Sequence, residues 1–399
     1  MGIPITKRNS IFIVCSHNLL FFIEIAQSKL PIGLLFFTFL YYKIIDFYSV
    51  CNHYKKNTNS LEFKHTKADL VRLMNMSLNE KVGVTQARTM EWYVHYNKKC
   101  YVSFSGGKDS TVLAYIAAQV CYLFKCKLVL WFSDTGLEFP ELREHVKTYG
   151  DWLMKQFPGS EGFPPLVVET IIDPPKDRKG KKIVFKDVIL NQGYPILSKN
   201  ISRQIGDVQR LGQDCWAARC FDGRETGMYD MRKWKFVIDA PFKVSNKCCD
   251  IMKKRPAHRF TKESGLMPLV ATMTCESKQR RTEWLHNGCN AFDKKNPSSQ
   301  PMSFWTEQDV LKFIVRYELP YPSVYGDIKQ NEKGEYYTTG YSRTGCMFCA
   351  YGCHLEKEPN RFQMLKQTHP KIWEYCMKPV SEGGLGMKTV LEFIGVKCE

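Results

Sequence analysis

The stretch from Cys100 to Ser110 constrains the fold more than any other part of this 399-residue chain. Cys100-Tyr-Val-Ser-Phe104 is a run of β-branched and aromatic residues, Ser105-Gly106-Gly107-Lys108-Asp109-Ser110 follows at once, and residues 111–120 read as a helix. Strand, glycine loop and helix in succession make a phosphate cradle. The glycines let backbone N–H groups approach an anion, the helix N-terminus adds positive potential, and the Ser110 hydroxyl can donate. The spacing is neither the Walker pattern G-x-x-x-x-G-K-[ST] nor G-x-G-x-x-G. Asp109 would repel a phosphate unless a cation bridged the two, so the loop itself implies Mg²⁺. Lys108 and Asp109 are the first candidate catalytic residues, and residues 105–110 together are candidate nucleotide contacts.

A second apolar run, Lys127-Leu-Val-Leu-Trp-Phe132, leads into Ser133-Asp134-Thr135-Gly136-Leu137-Glu138-Phe139-Pro140-Glu141. Asp134 and Thr135 fall at the carboxyl end of that strand, where open α/β sheets take their ligands. Both are candidate nucleotide contacts, and Asp134 is also a candidate catalytic residue.

The chain holds 16 cysteines, too sparse for a small disulfide scaffold. With no signal-peptide pattern, a reducing cytoplasm is the expected setting, and clustered cysteines there point to metal or redox chemistry. Two pairs stand out: Cys248–Cys249 in S-N-K-C-C-D-I-M-K-K-R-P, and Cys346-Met-Phe-Cys349. Four thiolates suit Zn²⁺ or a [4Fe–4S] cube. Adjacent cysteines are awkward around tetrahedral zinc and shift the balance toward the cube, with zinc the alternative.

The formal charge of +17 invites a polyanion, and +12 remains beyond residue 73. Residues 1–73 form a hydrophobic extension. Its longest apolar run, residues 30–42, is shorter than the roughly 20 residues of a spanning helix. A membrane anchor is the alternative reading of it. A translation start at Met74 or Met76 is the favoured reading, because an amphipathic helix over residues 78–96 begins just after them. Residues 74–295 are then expected to form the nucleotide-binding α/β domain and residues 296–399 a cluster-completing region. The basic stretch Lys176-Asp-Arg-Lys-Gly-Lys-Lys182 could guide a nucleic acid or be a solvated loop.

The motifs also carry a family resemblance. S-G-G-K-D-S resembles the PP-loop of the adenine-nucleotide α-hydrolase superfamily, whose members act at the α-phosphate of ATP or a related adenylate. D-T-G-x-x-F-P-E resembles the phosphoadenosine phosphosulfate (PAPS) reductase branch. C-C-x-x-x-K-K with a distant C-x-x-C resembles the cluster-binding arrangement of adenylylsulfate reductases. The resemblance implies an α/β doubly wound parallel sheet, Rossmann-like, with a C-terminal helical and loop iron–sulfur region. It also implies one [4Fe–4S] cluster on Cys248, Cys249, Cys346 and Cys349.

Two departures weaken a reductase assignment. The chain ends Gly395-Val-Lys-Cys398-Glu399, without the Gly and His that follow the reductase nucleophile. In Pro268-Leu-Val-Ala-Thr-Met-Thr-Cys-Glu-Ser-Lys-Gln-Arg280, Met273 and Thr274 stand where the reductases have paired arginines, although Ser277 and Arg280 match and are expected near the nucleotide. Losing two guanidiniums removes bidentate recognition of a sulfate. A PP-loop beside an iron–sulfur site resembles ATP-dependent sulfur-inserting enzymes. The leading expectation is therefore adenylylation and sulfur transfer on a nucleic acid or small acceptor, with a sulfur-donor protein as partner. A sulfonucleotide reductase and a non-catalytic nucleotide- and cluster-binding subunit are the alternatives.

Overall fold

The computed structural model describes residues 63–223 and 231–399. Most of the hydrophobic extension, residues 1–62, lies outside the described residues. Helix α1 (Lys67–Met74) begins at a reciprocal cap: Thr66 Oγ1 accepts from the Asp69 N–H at 3.1 Å, and the Asp69 carboxylate accepts from the Thr66 N–H. Its Leu70 is buried in the main core. Helix α2 (Leu78–His95) starts at a second such box, Ser77 with Glu80, and matches the amphipathic helix read from the sequence.

Strand β1 (Cys100–Ser103) runs through the glycine loop into α3 (Lys108–Leu123), followed by β2 (Leu128–Ser133), α4 (Pro140–Gln156) and β3 (Val168–Asp173). After α5 (Phe185–Gln192), β4 (Ile196–Leu197) and α6 (Lys199–Leu211), the chain returns through α7 (Arg255–Ser264) and β5 (Met267–Leu269). It continues with α8 (Lys278–Asn287), β6 (Asn290–Ala291), β7 (Ser298–Ser299) and α9 (Glu307–Arg316). The main sheet has six strands in the order β3-β2-β1-β5-β7-β6, parallel except for the β6–β7 pair. Alternate residues serve two layers. Val102, Leu130 and Phe132 pack in the core beneath α2, α3, α4 and α9, while Tyr101, Val129 and Trp131 pack against Ala257 and Phe260 of α7. Burial on both faces explains why these strands read as continuous apolar runs. The result is the doubly wound α/β sheet expected. β7 and α9 join it from beyond residue 295, so the main core draws on both sides of that boundary.

Succession runs from β1 toward β3 on one side, whereas β5 lies on the other side of β1. The carboxyl ends of β1 and β5 therefore flank a topological switch point, the place where such sheets form a ligand crevice.

A second core unites α5, α6 and the C-terminal helices Arg361–Thr368, Pro370–Met377 and Met387–Phe393. Residues 194–197 act as a splint within it. Tyr194 bridges in parallel to Val244, and β4 pairs in parallel with β8 (Ala350–Tyr351). The segment before Cys248 and the segment after Cys349 are thus tied to one short piece of backbone. Gly206 is required for this: a Cβ there would stand 2.4 Å from the Val244 carbonyl oxygen. No helix among the described residues is long and apolar enough to cross a membrane.

Candidate functional site

The glycine loop is held by its own hydroxyls. Ser105 Oγ and Ser110 Oγ lie 3.0 Å apart, the Gly107 N–H donates to Ser105 Oγ, and Ser110 Oγ donates to the Gly107 carbonyl at 2.9 Å. Gly106 has φ +74°, and a Cβ there would meet the Leu142 carbonyl oxygen at 2.8 Å and a Val146 methyl at 2.9 Å. Gly107 caps α3 without a side chain, leaving the first turn open to a ligand. Below the loop, Thr111 Oγ1 meets the buried His145 Nε2 at 3.0 Å. Burial among aromatic rings lowers the His145 pKa to about 4.

The loop forms one wall of a cavity of about 320 Å³. The facing walls come from distant parts of the chain. Lys108 Nζ donates to the Ser342 carbonyl at 2.6 Å and pairs with Glu307 at 3.0 Å. The Lys108 N–H donates to Tyr325 Oη, which also bonds Thr344 Oγ1. Glu276 pairs with Arg280 and lies 3.8 Å from Arg343. Among the charged residues lining the cavity, Lys108, Arg280 and Arg343 face Asp109, Glu276 and Glu307. Asp109 Oδ1 is buried with no hydrogen-bond partner among the described residues, and burial raises its pKa against the opposing pull of Lys108. An orphaned carboxylate oxygen at a phosphate cradle fits a bridging Mg²⁺.

The expected contacts divide into two groups. Ser105, Gly107, Lys108, Asp109 and Arg280 line the cavity. Gly106 and Ser110 shape the loop from behind, and Ser277 caps α8 by accepting from the Arg280 N–H at 3.2 Å. Asp134 and Thr135 sit at the end of β2 but outside the cavity lining. Asp134 Oδ2 pairs with Arg143 at 2.9 Å, its Oδ1 being buried and unpartnered, and Thr135 Oγ1 donates to Glu138 at 2.8 Å. Met273 lines the cavity at a position the resemblance gives to an arginine, and Arg343 supplies a guanidinium from another segment. Sequence reasoning missed Arg343, Glu307 and Tyr325. It also missed Cys275, an exposed thiol in the electrostatic field of Arg343, Asp109 and Arg280. The only local signal for Arg343 was its place three residues before Cys346.

Residues 342–345, which close the cavity, run directly into Cys346. The Cys349 N–H donates to the Cys346 carbonyl in a tight turn, and Arg361 Nη1 holds the Cys349 carbonyl at 3.0 Å. Cys248 and Cys249 lead a helical segment that passes through a π-turn, Asp250–Lys254, into α7. Pro256 lacks an N–H for the Met252 carbonyl, and Ser133 Oγ donates to that carbonyl instead, at 3.2 Å. The π-turn carries Lys253, whose Nζ lies 3.6 Å from Glu138. Lys253 is held well above its ordinary pKa, first by Cys346.

The four cysteines lie within one another's electrostatic reach. Cys248 is raised by burial and then by Cys346, Cys249 and Cys349, while Cys349 is pushed up to about 11 by burial and then by Cys346. Among the described residues no group of three or more His, Cys, Asp or Glu is set to hold a metal ion. Four thiolates are the donor set of a [4Fe–4S] cube or of zinc, and these four act on one another electrostatically. Cys353 donates to the Ala350 carbonyl at 3.0 Å and is pushed up to about 12 by burial, the state of an inert structural thiol. Cys398 is 2% exposed in the C-terminal core near Cys376.

The Phosphoadenosine phosphosulfate reductase domain family matches residues 224–351. The match takes in all four cysteines, Ser277, Arg280 and Arg343, while the glycine loop and Asp134 precede it. It supports a place for this chain in the PAPS reductase family. No curated protein matches.

Proposed function

We propose that this chain is a PP-loop enzyme that binds ATP or a related adenylate with Mg²⁺, adenylylates an oxygen of a nucleic-acid or small acceptor, and passes sulfur to that position. The observation carrying this reading is the buried, unpartnered Asp109 oxygen beside Lys108 in a cradle at the switch point. A carboxylate is tolerated there when a cation joins it to phosphate. The family match, to a domain whose members are usually enzymes, supports sulfonucleotide-related or adenylyl-transfer chemistry.

In this reading Lys108 exchanges Glu307 and the Ser342 carbonyl for phosphate oxygens, and Arg280 and Arg343 exchange Glu276 for the same anion. These cations favour the charge that develops as an acceptor oxygen attacks the α-phosphorus and pyrophosphate leaves. A sulfide-level donor then forms the new bond to sulfur as the bond to the adenylylated oxygen breaks, so AMP departs with no net oxidation. Cys248, Cys249, Cys346 and Cys349 would hold a [4Fe–4S] cluster, which when bound can carry sulfide-level sulfur or electrons; zinc is the alternative occupant. Lys253 keeps a cation between Glu138 and Cys346 to balance the thiolates.

The reductase reading is favoured by the family match alone. It needs a cysteine nucleophile at the cavity; Cys398 is buried in the C-terminal core, which leaves the exposed Cys275, in the field of Asp109, Arg280 and Arg343.

The test is Mg²⁺-dependent pyrophosphate release from ATP by anaerobically purified protein. Asp109→Ala should lower the rate at least about a hundredfold, the scale for loss of one charge-positioning group. Equal release from this variant would contradict the assignment.

A further inference from the structure

Outside the glycine-loop cavity, two further cavities meet beside the Cys248–Cys249 pair. One, of about 490 Å³, is lined by Arg203, Arg210, Lys243 and Lys247. The other, of about 420 Å³, is lined by Lys181 and Lys182. Asn191 and Gln192 line both, so the two adjoin at the end of α5. Lys247 borders the first and Ile251 the second, so both cavities adjoin the turn that carries the cysteine pair.

The six basic side chains are all exposed, against three lining carboxylates: Asp207, Asp177 and Asp187. Two of these carboxylates are already engaged. Asp207 pairs with Arg210 at 2.9 Å, and Asp177 accepts from the Lys179 and Lys181 N–H groups to shape its own loop. Among the described residues, Arg203, Lys243 and Lys247 carry no ion pair. A surface with uncompensated cations spread along two adjoining cavities, interleaved with amide side chains, matches a chain of phosphates better than one small anion.

We propose that this surface holds the phosphodiester backbone of a single-stranded nucleic acid and leads it past the cysteine pair. The proposal rests on the adenylyl- and sulfur-transfer reading and names its acceptor class. It also gives the basic stretch at residues 176–182 a role, since Lys181 and Lys182 form one end of the track.

The test measures binding of fluorescein-labelled mixed-sequence 12-mers, one RNA and one DNA, to the full chain by anisotropy across a salt series. Lys181→Glu and Lys243→Glu each alter one cavity at an exposed position. Each lost phosphate contact is worth about 5-fold in affinity at 0.1 M salt and about 0.7 in the log–log salt slope, so the double variant should bind about 25-fold more weakly with a slope shallower by about 1.4. Which oligomer binds tighter separates RNA from DNA as the acceptor. Unchanged affinity and slope in the double variant, or no binding of either oligomer at about 50 mM salt, would overturn the proposal. ATP affinity of the same variant is measured alongside. It should be unchanged, which shows that the protein is folded and keeps failure of this surface distinct from failure of the nucleotide site.

Discussion

Gly106 and Gly107 are neighbours in one loop, yet alanine at each should do different things. At Gly106, φ is +74° and the new Cβ would sit 2.8 Å from a backbone oxygen of α4 and 2.9 Å from a Val146 methyl. A left-handed conformation costs an L-residue about 1–2 kcal/mol, and forcing a methyl into packed surroundings costs about 1–3 kcal/mol more. The sum, roughly 3 kcal/mol, corresponds to a fall in Tm of about 4 °C for a chain with roughly 330 ordered residues. At Gly107, φ is −78° and the nearest atom to a new Cβ is the Tyr325 hydroxyl at 3.1 Å, on the cavity side. Gly107→Ala should keep Tm within about 2 °C, as for substitutions that strain little, while weakening ATP binding at least about tenfold by filling the cradle. Calorimetric melting with titration of ATP·Mg²⁺ separates the two effects. A stable Gly106→Ala protein, or a Gly107→Ala protein that binds ATP normally, would refute the reasoning about how this loop is built.

Two further outcomes follow from the same geometry. His145 has a pKa lowered to about 4 by burial, so the unfolded chain binds the extra proton between about pH 6.5 and pH 4. Stability is complete above pH 6.5 and falls as pH drops toward 4, by roughly 3 kcal/mol. Urea unfolding at pH 7.5 and pH 5 should show a smaller loss in His145→Gln, and an identical loss would contradict it. Arg343 is mostly exposed and reaches Glu276 at 3.8 Å, so Arg343→Met should leave Tm unchanged. Loss of one charge-assisted contact should raise the ATP Kd about tenfold by titration calorimetry, and an unchanged Kd would remove Arg343 from the site.

Much of the fold was legible because its signals are local. Residues 100–110 spell strand, loop and helix within one reach of backbone, and both strands next to the loop carry apolar residues on two faces. The cysteine pairs were read as one set from their spacing and resemblance, and what they hold is the proposal made above. The cavity's far walls were not. The bonds from Lys108 to Tyr325 and Ser342 span 217 and 234 residues, and no local pattern announces such a contact. Asp134 and Thr135 were correctly placed at a strand end. What the motif could not reveal is that Arg143 and Glu138, nine and three residues on, would engage their side chains. The absent arginine pair at Met273 and Thr274 looked like a loss of anion recognition, whereas Arg343 brings a guanidinium to the same cavity through the loop that precedes Cys346.

That loop joins the two halves of the account: residues 342–345 close the nucleotide cavity and Cys346 opens the thiol set. The most direct test is one anaerobic preparation of the full chain, assayed together for iron, acid-labile sulfide, zinc and bound nucleotide. The account predicts brown protein with iron and sulfide in equal amounts at one cube per chain, carrying ATP or AMP, and loss of the iron in Cys346→Ser. Colourless protein that holds neither iron nor adenine nucleotide would contradict it.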